Sequence, residues 1–74
     1  MSELRKVKKV GGTYVSAYQL ARVWAQPPIV SIGKWSVNAS TVAGAFVPIG
    51  FDLTQEEAEK MAADVAAMME EAAS

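Results

Sequence analysis

The side chains able to do chemistry in this chain are few, and they lack the partners that chemistry needs. Ser31, Ser36, Ser40 and Thr41 supply hydroxyls between two apolar runs. A serine nucleophile needs a base to take its proton, yet the chain has no His and no Ser–Lys motif. Paired carboxylates occur as Glu56-Glu57 and Glu70-Glu71. General acid–base work needs two such groups converging on one point, whereas adjacent helical positions point about 100° apart. Cys is absent as well, which removes thiolate and imidazole metal ligands together. No segment alternates oxygen ligands in the manner of a calcium loop. Gly11-Gly12 is not followed by the Lys-Ser/Thr of a phosphate-binding loop, and no GxGxxG occurs. The residues read as those of a protein that is not an enzyme and uses no cofactor or metal.

What remains is the chemistry of association. Arg5, Lys6, Lys8 and Lys9 form a basic run that suits phosphate groups, and Tyr14, Tyr18, Trp24 and Trp35 offer stacking surfaces for bases. The plainer account is a basic flexible arm over residues 1–9 that aids solubility, with the aromatics in the core. A sequence pI near 5.2 and a net charge of −1 weigh against a general nucleic-acid binder. The charges are also unevenly placed. Residues 1–37 carry a balance of +5 and residues 38–74 one of −6. A dipolar chain of this kind suits a protein partner, or a second copy of itself.

The elements that position these residues become clearer toward the C-terminus. Thr54 and Glu57 have the spacing of a capping box, and Glu56, Glu57 and Glu59 suit the positive end of a helix. No Gly or Pro follows, and Ala, Met and Glu dominate. The spacing predicts an amphipathic helix over residues 54–73. Ala58, Met61, Val65, Met68 and Ala72 form its apolar stripe, widened by Ala62, Ala66, Met69 and Ala73. Before it, Ala43, Ala45, Val47, Ile49, Phe51 and Leu53 alternate as one face of a strand. Pro48 places that strand at an edge or beside a bulge. Residues 29–37 are rich in β-branched and aromatic types and read as its hairpin partner, joined through the polar Asn38-Ala39-Ser40. That tripeptide matches a glycosylation acceptor, but a polar turn is the better reading.

The first third of the chain leaves alternatives open. Gly11-Gly12 is a two-residue hairpin loop pairing residues 6–10 with 13–18. Residues 16–24 fit a short helix, with Ser16 and Gln19 as a capping box and Leu20, Ala21 and Trp24 on one face. They also fit a strand with Tyr14, Tyr18, Leu20 and Trp24 on one side. Pro27-Pro28 ends either element.

The run Phe51-Asp52-Leu53-Thr54-Gln55-Glu56-Glu57-Ala58, a strand passing into an Ala-rich acidic helix, resembles small proteins of actinobacteria and their phages. The resemblance covers about the last 25 residues. It implies a phage or bacterial accessory protein and brings no site residues with it.

The expected fold is α+β: an antiparallel sheet of three or four strands with the C-terminal helix packed on one face, in a single domain over residues 1–74. Thirteen of the residues are alanines, and about twenty-five are large apolar types, so the core is thin for a chain that must offset its ordering entropy. Without disulfide or metal, self-association is the support left, and a homo-oligomer is expected. Its interface candidates are Met61, Val65, Met68, Trp24 and Trp35, residue types common in interfaces as well as cores. The longest apolar stretch is too short to cross a bilayer, and no signal-like segment follows Met1, so a cytoplasmic, unprocessed chain is expected. The favoured function is a non-catalytic protein-interaction module, with nucleic-acid binding through Arg5, Lys6, Lys8 and Lys9, or a structural role in an assembly such as a virion, as alternatives.

Overall fold

The computed structural model describes residues 6–29 and 33–73; Arg5, Ser31 and residues 30–32 of the strand expected over 29–37 lie outside that range, and Ile29, Gly33 and Lys34 are not part of a strand, which begins at Trp35. In chain order the elements are β1 (Lys6–Lys8), β2 (Tyr14–Ser16), a single 3₁₀ turn (Ala17–Gln19), β3 (Leu20–Gln26), β4 (Trp35–Thr41), β5 (Phe46–Leu53) and α1 (Gln55–Ala73). β1 and β2 form an antiparallel hairpin, and β3-β4-β5 form an antiparallel meander in that spatial order. With α1 packed on one face of the meander, the architecture is α+β, as the sequence predicts.

Both hairpins close in the same way. The Lys9 N–H donates to the Thr13 carbonyl at 2.8 Å, and the Thr41 N–H to the Ala45 carbonyl at 2.9 Å. Each loop therefore has three residues, and its last is a glycine with positive φ, +86° at Gly12 and +91° at Gly44. Glycine reaches that backbone region without steric cost. The Gly-Gly hairpin is thus present with one more loop residue than expected, and Lys6–Lys8 belong to a strand rather than to a free arm.

The middle of the chain departs from the expectation in register. Asn38-Ala39-Ser40 is not a turn but the centre of β4, and the reversal comes four residues later, at Val42–Ala45. Ala43 and Ala45 are therefore exposed loop residues. Residues 16–24 divide between the two alternatives, one 3₁₀ turn followed by a strand. The Ser16 side chain makes no capping bond, so that capping box is absent. Pro27 follows the last residue of β3, as expected.

The sheet has two unlike faces. Toward the helix lie the cross-strand rows Val23–Ala39–Val47 and Ala25–Val37–Gly50. On the open face lie Arg22–Ser40–Phe46, Trp24–Asn38–Pro48 and Gln26–Ser36. β5 is an edge strand and is bulged on either side of Gly50. Ile49 is one residue extra against β4, and so is one of Phe51 and Asp52. Each bulge reverses the alternation, so the inward set is Val47, Ile49, Gly50 and Leu53, and Phe51 turns outward. Asp52 completes the second bulge at φ +62°, a region that Asp tolerates better than most residues.

The core comprises Val7, Ala17, Leu20, Val37, Ala39, Val47, Ile49, Ala58 and Val65. Its largest completely buried side chain is a valine, Val37. Ala17, Ala39 and Ala58 are also fully enclosed, which lets α1 lie close to the sheet. The predicted stripe holds: Ala58 and Val65 are buried and Met61, Met68 and Ala72 are half-buried, whereas Ala66 is exposed.

The capping box is formed. The Glu57 N–H donates to Thr54 Oγ1 at 3.1 Å, and the Thr54 N–H donates to Glu57 Oε1 at 3.0 Å. The Thr54 backbone N–H, and after it the Thr54 hydroxyl, hold the Glu57 carboxyl below its ordinary range. Replacing Thr54 by Ala should cost about 1 kcal/mol, read as a lower melting temperature at neutral pH. A depressed carboxyl stabilises the fold above its unfolded value, and that stability is lost as pH falls through the lowered folded value. The gap between wild type and Glu57→Gln should therefore narrow in acid. Ala58→Leu should destabilise by about 1–3 kcal/mol through overpacking, and a melting temperature equal to wild type would show that α1 stands further from the sheet.

Candidate functional site

The residues that looked capable of catalysis are dispersed. Ser36 and Ser40 are half-buried on the open sheet face, where the Asn38 amide contacts Ser36 Oγ at 3.4 Å. The Glu57 carboxylate is occupied by the cap, and Glu59 accepts from Gln55 at 3.3 Å. Among the described residues no three acidic, His or Cys side chains are grouped to hold a metal ion, and no helix is long and apolar enough to cross a membrane.

The marked concavity is a cleft of about 720 Å³ between the β1–β2 hairpin, β5 and α1. Each wall has a local cause. The left-handed glycines turn the hairpin tip, and the Val10 N–H donates to the Pro48 carbonyl at 3.0 Å, fixing that tip against the outer side of β5. The floor is Ile49, Gly50 and Leu53. Gly50 permits the close approach of the helix, since a Cβ there would stand 3.0 Å from Met61 Sδ. Met61, Val65 and Met68 form the helical wall, and Phe51, rotated out by its bulge, closes one side. Lys8 and Lys9 lie on the hairpin rim and Asp64 on the helix rim.

Of the interface candidates, Met61, Val65 and Met68 meet in this cleft, where they also pack on the core. Trp24 and Trp35 do not join them, and they occupy opposite faces of the sheet. Trp35 pairs with Leu53 on the helix side. Trp24 stands on the open face, its indole N–H 3.4 Å from Gln26 Oε1 and its ring 5.9 Å from the Arg22 guanidinium carbon. Gln26 Oε1 also accepts from the Asn38 amide at 2.9 Å. That bond serves the only buried polar side chain among the described residues, Asn38 at 7% exposure, and limits the cost of burying it. Of the nucleic-acid candidates, Lys6 and Lys8 are exposed on β1 and Lys9 is half-exposed at the turn.

The charge asymmetry seen along the chain becomes a division between layers. Among the described residues the strands and their loops carry Lys6, Lys8, Lys9, Arg22 and Lys34 with Asp52, whereas α1 carries Glu56, Glu57, Glu59, Asp64, Glu70 and Glu71 with Lys60. Lys60 and Asp64 form an exposed pair at 3.4 Å, of small energetic consequence.

Sequence reasoning missed Val10 and Phe51 as cleft residues. The signal for Phe51 was its flanking Gly50 and Asp52, both suited to bulges. For Asn38 the signal was the alternation of Val37, Ala39 and Thr41 on either side of it. Comparison with known proteins finds no match to the chain among family models, curated proteins or solved structures.

Proposed function

We propose that this protein is a non-catalytic interaction module that takes an apolar segment of a partner protein into the cleft between the β1–β2 hairpin, β5 and α1. The observation that carries the reading is the character of that cleft. Val10, Ile49, Phe51, Met61 and Met68 line it, and Phe51 is 62% exposed although the cleft it lines reaches Ile49 and Val65 of the core. Covering one such ring contributes about 1.5–3 kcal/mol, and methionine walls adapt to irregular apolar shapes. Lys8 and Lys9 on the rim favour a segment with an acidic residue beside its apolar ones. The resemblance of Phe51–Ala58 to small phage and actinobacterial proteins fits an accessory role in the cytoplasm, with self-association as part of it.

A second reading, nucleic-acid binding, draws on the exposed Lys6 and Lys8 of β1 and on the division of charge between the layers. One experiment separates the two. Tagged wild type and Phe51→Ser are used to capture partners from nuclease-treated lysate of the source organism. Phe51 is exposed, so the variant should keep the wild-type melting temperature and lose a protein that wild type retains. Equal retention of that protein by both would contradict the cleft. Retention abolished by nuclease, with salt-sensitive binding to oligonucleotides, would transfer the function to the basic hairpin.

A further inference from the structure

We propose that the open face of the meander binds a single-stranded nucleic acid, with bases stacked on Phe46 and on the Arg22–Trp24 pair and held at their edges by Gln26 and Asn38. This goes beyond the cleft reading, and it uses the side of the sheet opposite α1 rather than the basic hairpin.

The face offers planar groups on both of its outer strands. Phe46, at the start of β5, is 64% exposed. Arg22 on β3 is exposed as well, with its guanidinium carbon 5.9 Å from the centre of the Trp24 ring. Arg22 and Phe46 stand in one cross-strand row with Ser40 between them, two strand spacings or about 10 Å apart. Ser40 is small, so the row is a shallow floor between two raised platforms. An aromatic ring or a guanidinium plane supports any base, since every base has a flat π-face.

Beside that row lies a pair of amides with free ends. Asn38 Nδ2 donates to Gln26 Oε1 at 2.9 Å, and the Trp24 indole N–H, which can only donate, stands 3.4 Å from the same oxygen. Gln26 Oε1 is thus used twice, while Gln26 Nε2 donates to nothing among the described residues. Asn38 is only 7% exposed, yet its Oδ1 accepts no bond among the described residues. No sealed side-chain nitrogen or oxygen lacks a partner there, so this oxygen opens to the surface. An acceptor on an otherwise enclosed side chain is served from outside, by water or by a ligand's donor. The two bonded side chains therefore present one donor and one acceptor, and the Watson–Crick edge of a base carries both.

Charge favours a polyanion at this face although the chain as a whole is acidic. Arg22 is the one charged residue in the three cross-strand rows of the face, and no carboxylate stands in them. Among the described residues the strands and their loops carry Lys6, Lys8, Lys9, Arg22 and Lys34 against Asp52, and the acidic residues of α1 lie behind the sheet. The thickness of the sheet sets them about a Debye length, ~8 Å at physiological salt, from a ligand on the open face. A duplex keeps its bases stacked on one another and its edges paired, so unpaired bases are what the platforms and the amides fit. A neutral sugar would use the rings and the amides but gain nothing from Arg22.

The two tryptophans stand on opposite faces of the sheet, so Trp35→Phe leaves an indole reporter on the open face alone. A fluorescein-labelled single-stranded dodecamer of deoxythymidine, at about 50 mM NaCl, should bind this variant in the micromolar range by polarisation, and the unlabelled strand should quench Trp24. Phe46→Ala should weaken binding at least about fivefold, the least that one base–aromatic stack contributes. Phe46→Leu, which keeps the apolar bulk without the π-face, should weaken it as well. Arg22→Gln should weaken it and reduce the log–log salt slope by about 0.7. Phe46 and Arg22 are exposed, and an unchanged melting temperature verifies each fold. Lys6→Ala with Lys8→Ala should weaken binding less than Phe46→Ala, and Phe51→Ser in the cleft should leave it unchanged. No binding at about 0.2 mM protein, or equal affinity for the strand paired as a duplex, would overturn the proposal. So would binding lost in the lysine variant and kept in both Phe46 variants, which would place the nucleic acid on the hairpin. Quenching of Trp24 by maltohexaose and not by the oligonucleotide would overturn it in favour of a neutral sugar. None of these outcomes bears on the cleft, which partner capture with Phe51→Ser tests separately.

Discussion

The closeness of α1 to the sheet is the constraint on which the rest of this structure depends. Ala17, Ala39 and Ala58 are all fully enclosed, and a helix can settle this near a strand only where side chains on both are small. Gly50 extends the same condition to the edge of the sheet, where it admits Met61. The thioether then serves as both core and cleft wall. Close approach gains dispersion contacts, but it leaves little room for large side chains, so the enclosed centre ends at Val37.

A core of that kind is narrow, and the larger apolar residues are displaced to its margins. On one flank Met61, Met68 and Phe51 stand around the cleft beneath the Gly-Gly hairpin. On the other, Val23 and Met69 stand half-exposed beside the outer edge of β3. The open sheet face is managed differently. Trp24, Gln26, Asn38 and Ser36 bond to one another across β3 and β4, although Phe46 on the same face is 64% exposed. The proposed binding uses one of these flanks, the cleft, whose apolar surface follows from the thinness of the core.

Much of this was legible in the sequence where local chemistry decides the outcome. The capping box at Thr54 and Glu57, the apolar stripe of the helix, the Gly11-Gly12 reversal and the edge position of the Pro48 strand each depend on residues within a few positions of one another. The errors arose where register is set by distant partners. Alternation correctly placed Val47 and Ile49 inward and then failed at Phe51, because the bulge at Ile49 shifts the parity, which the second bulge restores at Leu53. Asn38 looked like a turn residue on its own chemistry, yet Trp24, Gln26 and Pro48 from neighbouring strands enclose it. The Met61–Val65–Met68 surface was legible as a stripe. Its meeting with the hairpin was not, because that depends on one long-range bond between Val10 and Pro48.

If the alanine seam holds the molecule together, protection from exchange with solvent should be greatest along it. Native-state hydrogen exchange measured amide by amide tests this most directly. The slowest amides should be those of Val37–Ala39 in β4 and Ala58–Val65 in α1, exchanging together at the rate of global unfolding. The β1–β2 hairpin should open earlier, since its strands are three residues each and supply Val7 alone to the enclosed core. Equal protection of Lys6–Lys8 and of the seam, or rapid exchange at Ala58–Val65 while the strands stay protected, would contradict it.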